Sequence, residues 1–399
     1  MAEQQKNLSY HFKSHAGFPW RSRNHVRLHI NAESFYPAML RAISAAQETI
    51  FLEMYLIESG AIATDFIDTF LLAAQRQVKI FILLDDFGCY GLSQEDRQRL
   101  QHENIFLTFY NPLQFYNPLY FSKFRRNLFR DHRKILIIDQ KSVFVGGAGI
   151  TDDFLTKHLD NPGWRETMIE VQGECIPDWI DLFKEAWLMY AKDSLPYFEK
   201  KWESKGNELS ETMRQTCRVV CAMGSSRQGI KRSLIKRIRT AEQRIWISTA
   251  YFLPSFKVRR ALIRAAKRGV DVRLLLPGDK SDHPSVRQAG RRFYYNLLRS
   301  GVTILEYQPR FIHQKILMCD QWVSIGSSNI DRWNFRWNLE ANQEVEDSIF
   351  THEVVKMFEA DFKQSEIFEF KRWLQRSWYY RAQEWFWGKI DRLFDRFIK

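Results

Sequence analysis

The apolar residues of this chain fall into short dense runs, separated by segments whose apolar residues recur at helical spacing. In the first half, 49–57, 78–86, 105–111, 134–139, 142–147 and 167–173 are compact and rich in Ile, Val, Leu and Phe. Runs of this length and composition predict strands. Residues 35–47 and 64–77 carry apolar positions three and four apart and predict helices. The second half repeats the order. Strands are predicted at 217–224, 244–252, 270–276, 302–307, 315–320, 322–328 and 339–347, with helices at roughly 228–242, 255–268 and 283–299. Such alternation implies an α/β fold with mixed, mostly buried sheets.

The two halves also match residue by residue. "AAQETIFLEMYLIES" (45–59) aligns with "AEQRIWISTAYFLPS" (241–255), and "DHRKILIID" (131–139) with "IHQKILMCD" (312–320). The offset falls from 197 at Pro112/Pro309 to 181 at His132/His313, so the first half carries about 16 extra residues just before its motif. This is one duplication rather than a short-period array. Residues 1–25 read as an N-terminal extension, 26–198 as the first lobe, 199–215 as a polar linker, 216–367 as the second lobe and 368–399 as an amphipathic C-terminal segment.

The repeated motif is H-x-K-x4-D: His132, Lys134 and Asp139, then His313, Lys315 and Asp320. Residues two apart in a strand share a face, so each His and Lys project together. Small residues follow each strand pair: Gly146, Gly147, Ala148 and Gly149 in one half, Gly326, Ser327, Ser328 and Asn329 in the other. Their backbone N–H groups allow a phosphate to approach closely. A single copy would read as an ordinary strand with a surface His and Lys. Two copies in matched places point to one joint site. A phosphodiester needs a nucleophile, a proton donor and positive charge on its nonbridging oxygens. Two histidines and two lysines supply all three, with no metal or cofactor expected. A nucleophilic His is held in the right tautomer by an acid on its other nitrogen. Glu166 and Glu340, in matching strands after each motif, are the candidates.

These residues resemble the phospholipase D superfamily, over roughly residues 25–350. The length, the phrase "YFLP" (251–254) and the insert before the first motif are most similar to bacterial cardiolipin synthases without transmembrane spans. The resemblance implies two similar lobes, each a mixed sheet flanked by helices, with one active site at their interface. It implies a covalent phosphohistidine, formed when phosphatidylglycerol gives its phosphatidyl group to His132, with His313 as acid and base. A second phosphatidylglycerol then accepts the group, and glycerol is released. Lys134 and Lys315 bind phosphate oxygens; Gly147, Ser327 and Asn329 line the phosphate turn. The family motif groups Asp139 and Asp320 with the catalytic set, although their places at strand ends make them supports. The first turn departs from the family pattern, with Gly149 where the second has Asn329. The alternatives are a hydrolase or a metal-independent nuclease of the same superfamily, or a membrane-binding protein whose activity is lost.

Charge and composition narrow the partners. Lys and Arg number 59 against 47 Asp and Glu, a net charge of +12, which favours anionic partners without choosing among them. Two segments mix aromatics with cations: 115–133, and 370–399, where Trp387, Ile390, Phe394 and Phe397 fall near one helical face. Such segments suit an anionic membrane surface; packing of the helix on its own domain is the competing reading. No nucleic-acid module is recognisable. The expectation is peripheral attachment to the cytoplasmic side of the bacterial inner membrane. The N-terminus has no apolar core of a secretory signal, and no stretch reaches the ~20 apolar residues of a spanning helix. The five cysteines, scattered and odd in number, read as free buried thiols. Asp85 and Asp86 at a strand end read as a capped turn or a metal site. Asp282 and His283, in the corresponding loop of the second half, offer contacts to a polar headgroup.

Overall fold

The computed structural model describes residues 18–113, 127–156, 162–191, 214–224 and 227–397. The linker segment 199–213 and most of the aromatic–basic insert (114–126) lie outside them.

The first half runs β1 (Arg21–Ile30), α1 (Ala32–Ala45), β2 (Thr49–Met54), α2 (Ala61–Gln75), β3 (Lys79–Asp85), α3 (Gln94–Arg99), β4 (Ile105–Tyr110), β5 (Lys134–Ile138), β6 (Ser142–Gly146), β7 (Thr167–Gly173) and α4 (Ile176–Trp187). The second runs β8 (Gln215–Met223), β9 (Arg227–Gln228), α5 (Gly229–Thr240), β10 (Arg244–Ser248), β11 (Phe252–Leu253), α6 (Phe256–Lys267), β12 (Asp271–Pro277), α7 (Pro284–Arg291), α8 (Tyr294–Leu298), β13 (Thr303–Tyr307), β14 (Ile316–Cys319), β15 (Trp322–Gly326), β16 (Ile330–Asp331), α9 (Asn334–Trp337) and β17 (Leu339–Glu346). The chain ends with α10 (Ser348–Lys363), β18 (Ser365–Phe368), α11 (Phe370–Leu374) and α12 (Trp378–Phe397). β1 starts inside the segment read as an extension. The helix predicted over 283–299 is two, α7 and α8.

The expected α/β architecture of two similar halves is present, and the halves share one sheet. Its order is β18-β13-β12-β10-β14-β15-β17-β8-β1-β7-β6-β5-β2-β3-β4. Outward from the central β8–β1 contact, both halves follow the same sequence of strands, and β18 is added at one edge. The centre of each half is antiparallel (β2 on β5, β10 on β14), while β2-β3-β4 and β10-β12-β13 run parallel. β5 and β14 are buried along their whole length. This is why their sequences are unbroken apolar runs rather than alternating ones.

The sheet has helices on both faces. On one, α4 and α10 close a single core that spans both halves, from Phe51, Ile135, Trp179 and Phe183 to Ile316, Val323, Phe350 and Phe358. On the other, each half has its own core: α1 and α2 cover the first, α5 to α8 the second. The shared core fixes the angle between the halves, which the site at their seam requires. All five cysteines are buried and free.

One sequence expectation is reversed at the C-terminus. Trp387, expected to face lipid, packs against the second half's core. Instead Trp378, Tyr379, Trp385 and Phe386 are exposed. Helix α12 docks on α7, and Arg292 donates a 2.5 Å hydrogen bond to the Gly388 carbonyl. Phe394 and Phe397 lie where side chains are not described.

Candidate functional site

Each motif histidine is tied by backbone to the opposite half. His132 N–H donates to the Leu339 carbonyl at 3.0 Å, and Leu339 N–H donates to Arg130 at 2.9 Å. In the matching place, His313 N–H donates to Arg165 and Arg165 N–H to Phe311, both at 2.8 Å. Leu339 and Arg165 each immediately precede a buried glutamate. The carboxylates are thereby exchanged between halves. Nδ1 of His132 lies 3.0 and 3.2 Å from the two oxygens of Glu340, and Nδ1 of His313 lies 2.7 Å from Glu166. Both glutamates are fully buried. A carboxylate on Nδ1 holds the proton there and leaves the Nε2 lone pair for chemistry.

The lysines complete the pairs. Lys134 donates to the His132 carbonyl at 2.5 Å and sits 4.9 Å above the ring of Tyr55, which lies 4.7 Å from the His132 ring. Lys315 lies 3.0 Å from both ring nitrogens of His313, donates to its carbonyl, and is 3.7 Å from Glu166. Burial pulls Lys134 down to about 7 despite Glu340, with Lys315 adding to the fall. Lys315 is lowered for the same first reason. Burial also lowers both histidines, His132 against the pull of Glu340, and His313 to about 4, where Lys315 adds to the effect. Burial pushes the Glu166 carboxyl up, but Lys315 and His313 outweigh it and hold it below its ordinary value. The free site is therefore two neutral imidazoles beside amines that give up their protons easily. Glu166 and Glu340 are the anions already beside them, and a phosphodiester would add a third.

The turns after β6 and β15 differ in what they hold. A Cβ on Gly147 would fall 2.3 Å from Glu166 Oε2, so the carboxylate occupies the space a side chain would need. Ser327, in the equivalent place, donates its hydroxyl to Glu340 and accepts from Ala341 N–H at 3.1 Å. Asn329 accepts from Thr249 Oγ1 at 3.1 Å through its carbonyl oxygen. Its buried Nδ2 has no hydrogen-bond partner among the described residues. At Gly149 an asparagine would not fit: its Cβ would meet the Leu56 carbonyl oxygen at 2.6 Å.

Asp139 and Asp320 do not join this group. They sit at the far ends of β5 and β14, about 16 Å from the lysines by strand rise. Asp139 accepts from the N–H groups of Gln47, Glu48 and Thr49 at 2.7–3.0 Å; Asp320 accepts from Glu242, Gln243 and Arg244 at 2.9–3.0 Å. Each carboxylate pins the start of the strand beside its own, β2 or β10. The grouping of these aspartates with the chemistry is corrected accordingly.

Sequence reasoning gave no role to Tyr55, and took Tyr251 only as part of the phrase "YFLP", although they occupy matched positions in the repeat. Tyr251 N–H lies 3.4 Å from Asn329 Oδ1, and its hydroxyl donates to Asp282. Asp85 and Asp86 form a turn and brace. Asp85 accepts from Phe87 and Gly88 N–H at 3.0 Å, from Asp131 N–H at 2.8 Å and from Arg130 at 3.2 Å. Burial pushes Asp85 up to about 7. The bonds to 130 and 131 hold the chain just ahead of His132.

The family described as "Cardiolipin synthase, PLD-like domain" matches residues 39–177 and 234–364. Cardiolipin synthase A of Pseudomonas aeruginosa (strain LESB58) is 31% identical over 351 residues, covering 87% of this chain and 69% of that protein. Cardiolipin synthase A of Pseudomonas putida (strain GB-1) is 29% identical over 355 residues, covering 87% and 70%. The crystal structure of phosphatidylserine synthase from Haemophilus influenzae Rd KW20 is similar with a TM-score of 0.68 at 13% identity, covering 99% of this chain and 97% of that one. That likeness concerns the fold alone. Both halves carry the family match, so the protein belongs to the phospholipase D superfamily, as a cardiolipin-synthase-like member.

Proposed function

We propose that this enzyme is a phosphatidyltransferase that makes cardiolipin from two molecules of phosphatidylglycerol. The observation that carries the reading is the pair of crossed His–Glu contacts, each with its lysine, at the seam of a chain similar to cardiolipin synthases. Nε2 of His132 attacks phosphorus, and the bond from phosphorus to the glycerol headgroup oxygen breaks. His313 gives its proton to that oxygen, and glycerol leaves. A hydroxyl of the second phosphatidylglycerol then attacks the phosphohistidine. Its proton passes to His313, and the P–N bond breaks. Lys134, Lys315 and Asn329 Nδ2 hold the nonbridging oxygens. His313 is depressed first by burial and then by Lys315; the bound anion favours the charged imidazolium against both, and so raises its ability to hold the proton it donates.

Among the described residues no helix is long and apolar enough to cross a membrane. The proposal includes peripheral attachment to an anionic surface through segment 115–133 and the outer face of α12. There Trp378, Trp385 and Phe386 are exposed and Lys389 lies 4.1 Å from the Trp385 ring.

The test is purified protein with phosphatidylglycerol vesicles. Cardiolipin and glycerol are the expected products, and H132A and H313A each lower the rate by about a thousandfold or more. Phosphatidic acid as the sole lipid product would make the enzyme a hydrolase. Cleavage of DNA with no action on lipid would make it a nuclease.

A further inference from the structure

The second half carries a carboxylate beside the site that the phosphoryl chemistry leaves unused. Asp282 lies in the loop between β12 and α7. One of its oxygens accepts from the Tyr251 hydroxyl. The other, Oδ1, is buried and without a hydrogen-bond partner among the described residues. A buried, unsatisfied carboxylate oxygen is costly to the fold unless something arrives to donate to it.

Its position follows from the sheet. β10 pairs with β14 so that Ser248 lies opposite Ile316, the residue after Lys315. Tyr251 follows three residues later and packs at the Asn329 turn. In the first half the matched Tyr55 lies tilted beside His132 and under Lys134. Asp282 is held through Tyr251 beside the Asn329 turn, and its charge reaches both His313 and Lys315. His283 adds an exposed ring 5.7 Å from that of Tyr251.

We infer that Tyr251 and Asp282 form a subsite for the hydroxyl groups of a polyol headgroup. This rests on the proposed phosphatidyl transfer. In that reaction the leaving glycerol takes its proton from His313, and the incoming glycerol gives its proton back to the same residue. Both therefore pass through one place, beside His313. A carboxylate there repels phosphate but accepts from neutral hydroxyls. The Tyr251 oxygen, whose own proton is engaged by Asp282, can accept another. An ammonium headgroup fits less well, because Lys134 and Lys315 already supply two amines to the site. A single subsite thus selects a diol twice per turnover.

The experiment measures alcohol partition by the full-length enzyme. Phosphatidylglycerol is the donor, and isotope-labelled glycerol, n-butanol and ethanolamine compete as acceptors, so that phosphatidylglycerol remade from free glycerol is counted by its label. The wild type is expected to favour glycerol. D282N is expected to lower the glycerol-to-butanol ratio by about tenfold to a hundredfold, the range for a hydrogen bond to a charged group; Y251F lowers it less. A merely structural role would slow transfer to both alcohols equally, so an unchanged ratio overturns the subsite. A wild-type preference for ethanolamine over glycerol also overturns it. Should D282N fail to fold, the ratio in Y251F decides. If the wild type makes no cardiolipin, the function reading fails, and the partition is read with bis(p-nitrophenyl) phosphate as donor. Glycerol preference there still supports the subsite, and transfer to neither alcohol overturns both.

Discussion

The surroundings of His132 and His313 differ more than their shared motif suggests. Among the described residues His132 has one aromatic neighbour, Tyr55, and its lysine rests over that ring. His313 is enclosed by Phe154, Trp164 and Phe311, with ring centroids 5.3–5.7 Å away, and Lys315 lies directly against its ring. Two of those three aromatics come from the first half. In the second half a serine braces the glutamate; in the first, a glycine makes room for it. The scaffold kept its pseudo-twofold symmetry while the two sites diverged. That divergence suits a reaction in which one histidine carries the phosphoryl group and the other handles protons.

The crossed carboxylates offer the strongest way to break this comparison. E166Q and E340Q should each lower kcat by about 10²–10⁴-fold, as when the orienting acid of a histidine is made neutral. E166Q should cost more, because Glu166 also faces Lys315. The decisive measurement is ¹⁵N NMR of the imidazoles. E340Q is expected to disturb His132 and spare His313, and E166Q the reverse. Disturbance of the histidine in the same half would overturn the exchange.

Swapping the turn residues sharpens the contrast. G147S places a Cβ where Glu166 Oε2 lies and should destabilise the fold by about 1–3 kcal/mol, the range for overpacking, with loss of activity. S327G removes one hydrogen bond to Glu340 and should cost about tenfold in kcat. Thermal melting and steady-state rates separate the two. Equal effects would mean that the turns are interchangeable.

The smallest effect is in pH. Lys134 titrates at about 7 in the free protein. It is charged below that pH and neutral above it, so diester binding weakens as pH rises through 7. The expected result is a basic limb in kcat/KM near 7. The limb in kcat lies higher, because a bound phosphate restores the proton affinity of the lysine. Coincident limbs would remove Lys134 from phosphate binding.

Much of the site was legible from pattern alone. His132 with Lys134, and His313 with Lys315, could be placed together because a strand repeats its faces every two residues. The glutamates could be nominated because they stand in matched strands. Tyr251 stood only inside the phrase "YFLP", with no role, because one aromatic after a strand carries no chemical signal by itself. Its meaning came from Asp282, 31 residues away. The lipid-facing stripe of α12 was misread at Trp387 because periodicity finds an apolar face without saying what covers it. Here the covering surface is the second half's own core.

The sequence by itself determined the duplication, the succession of strands and helices along each half and the two His–Lys pairs, because these depend on local spacing and on comparing the chain with itself. Only the tertiary structure decided which glutamate serves which histidine. Those partners stand 208 and 147 residues apart. Their contact depends on one core shared across the sheet, which sets one half against the other and brings each carboxylate to the histidine it did not accompany in sequence.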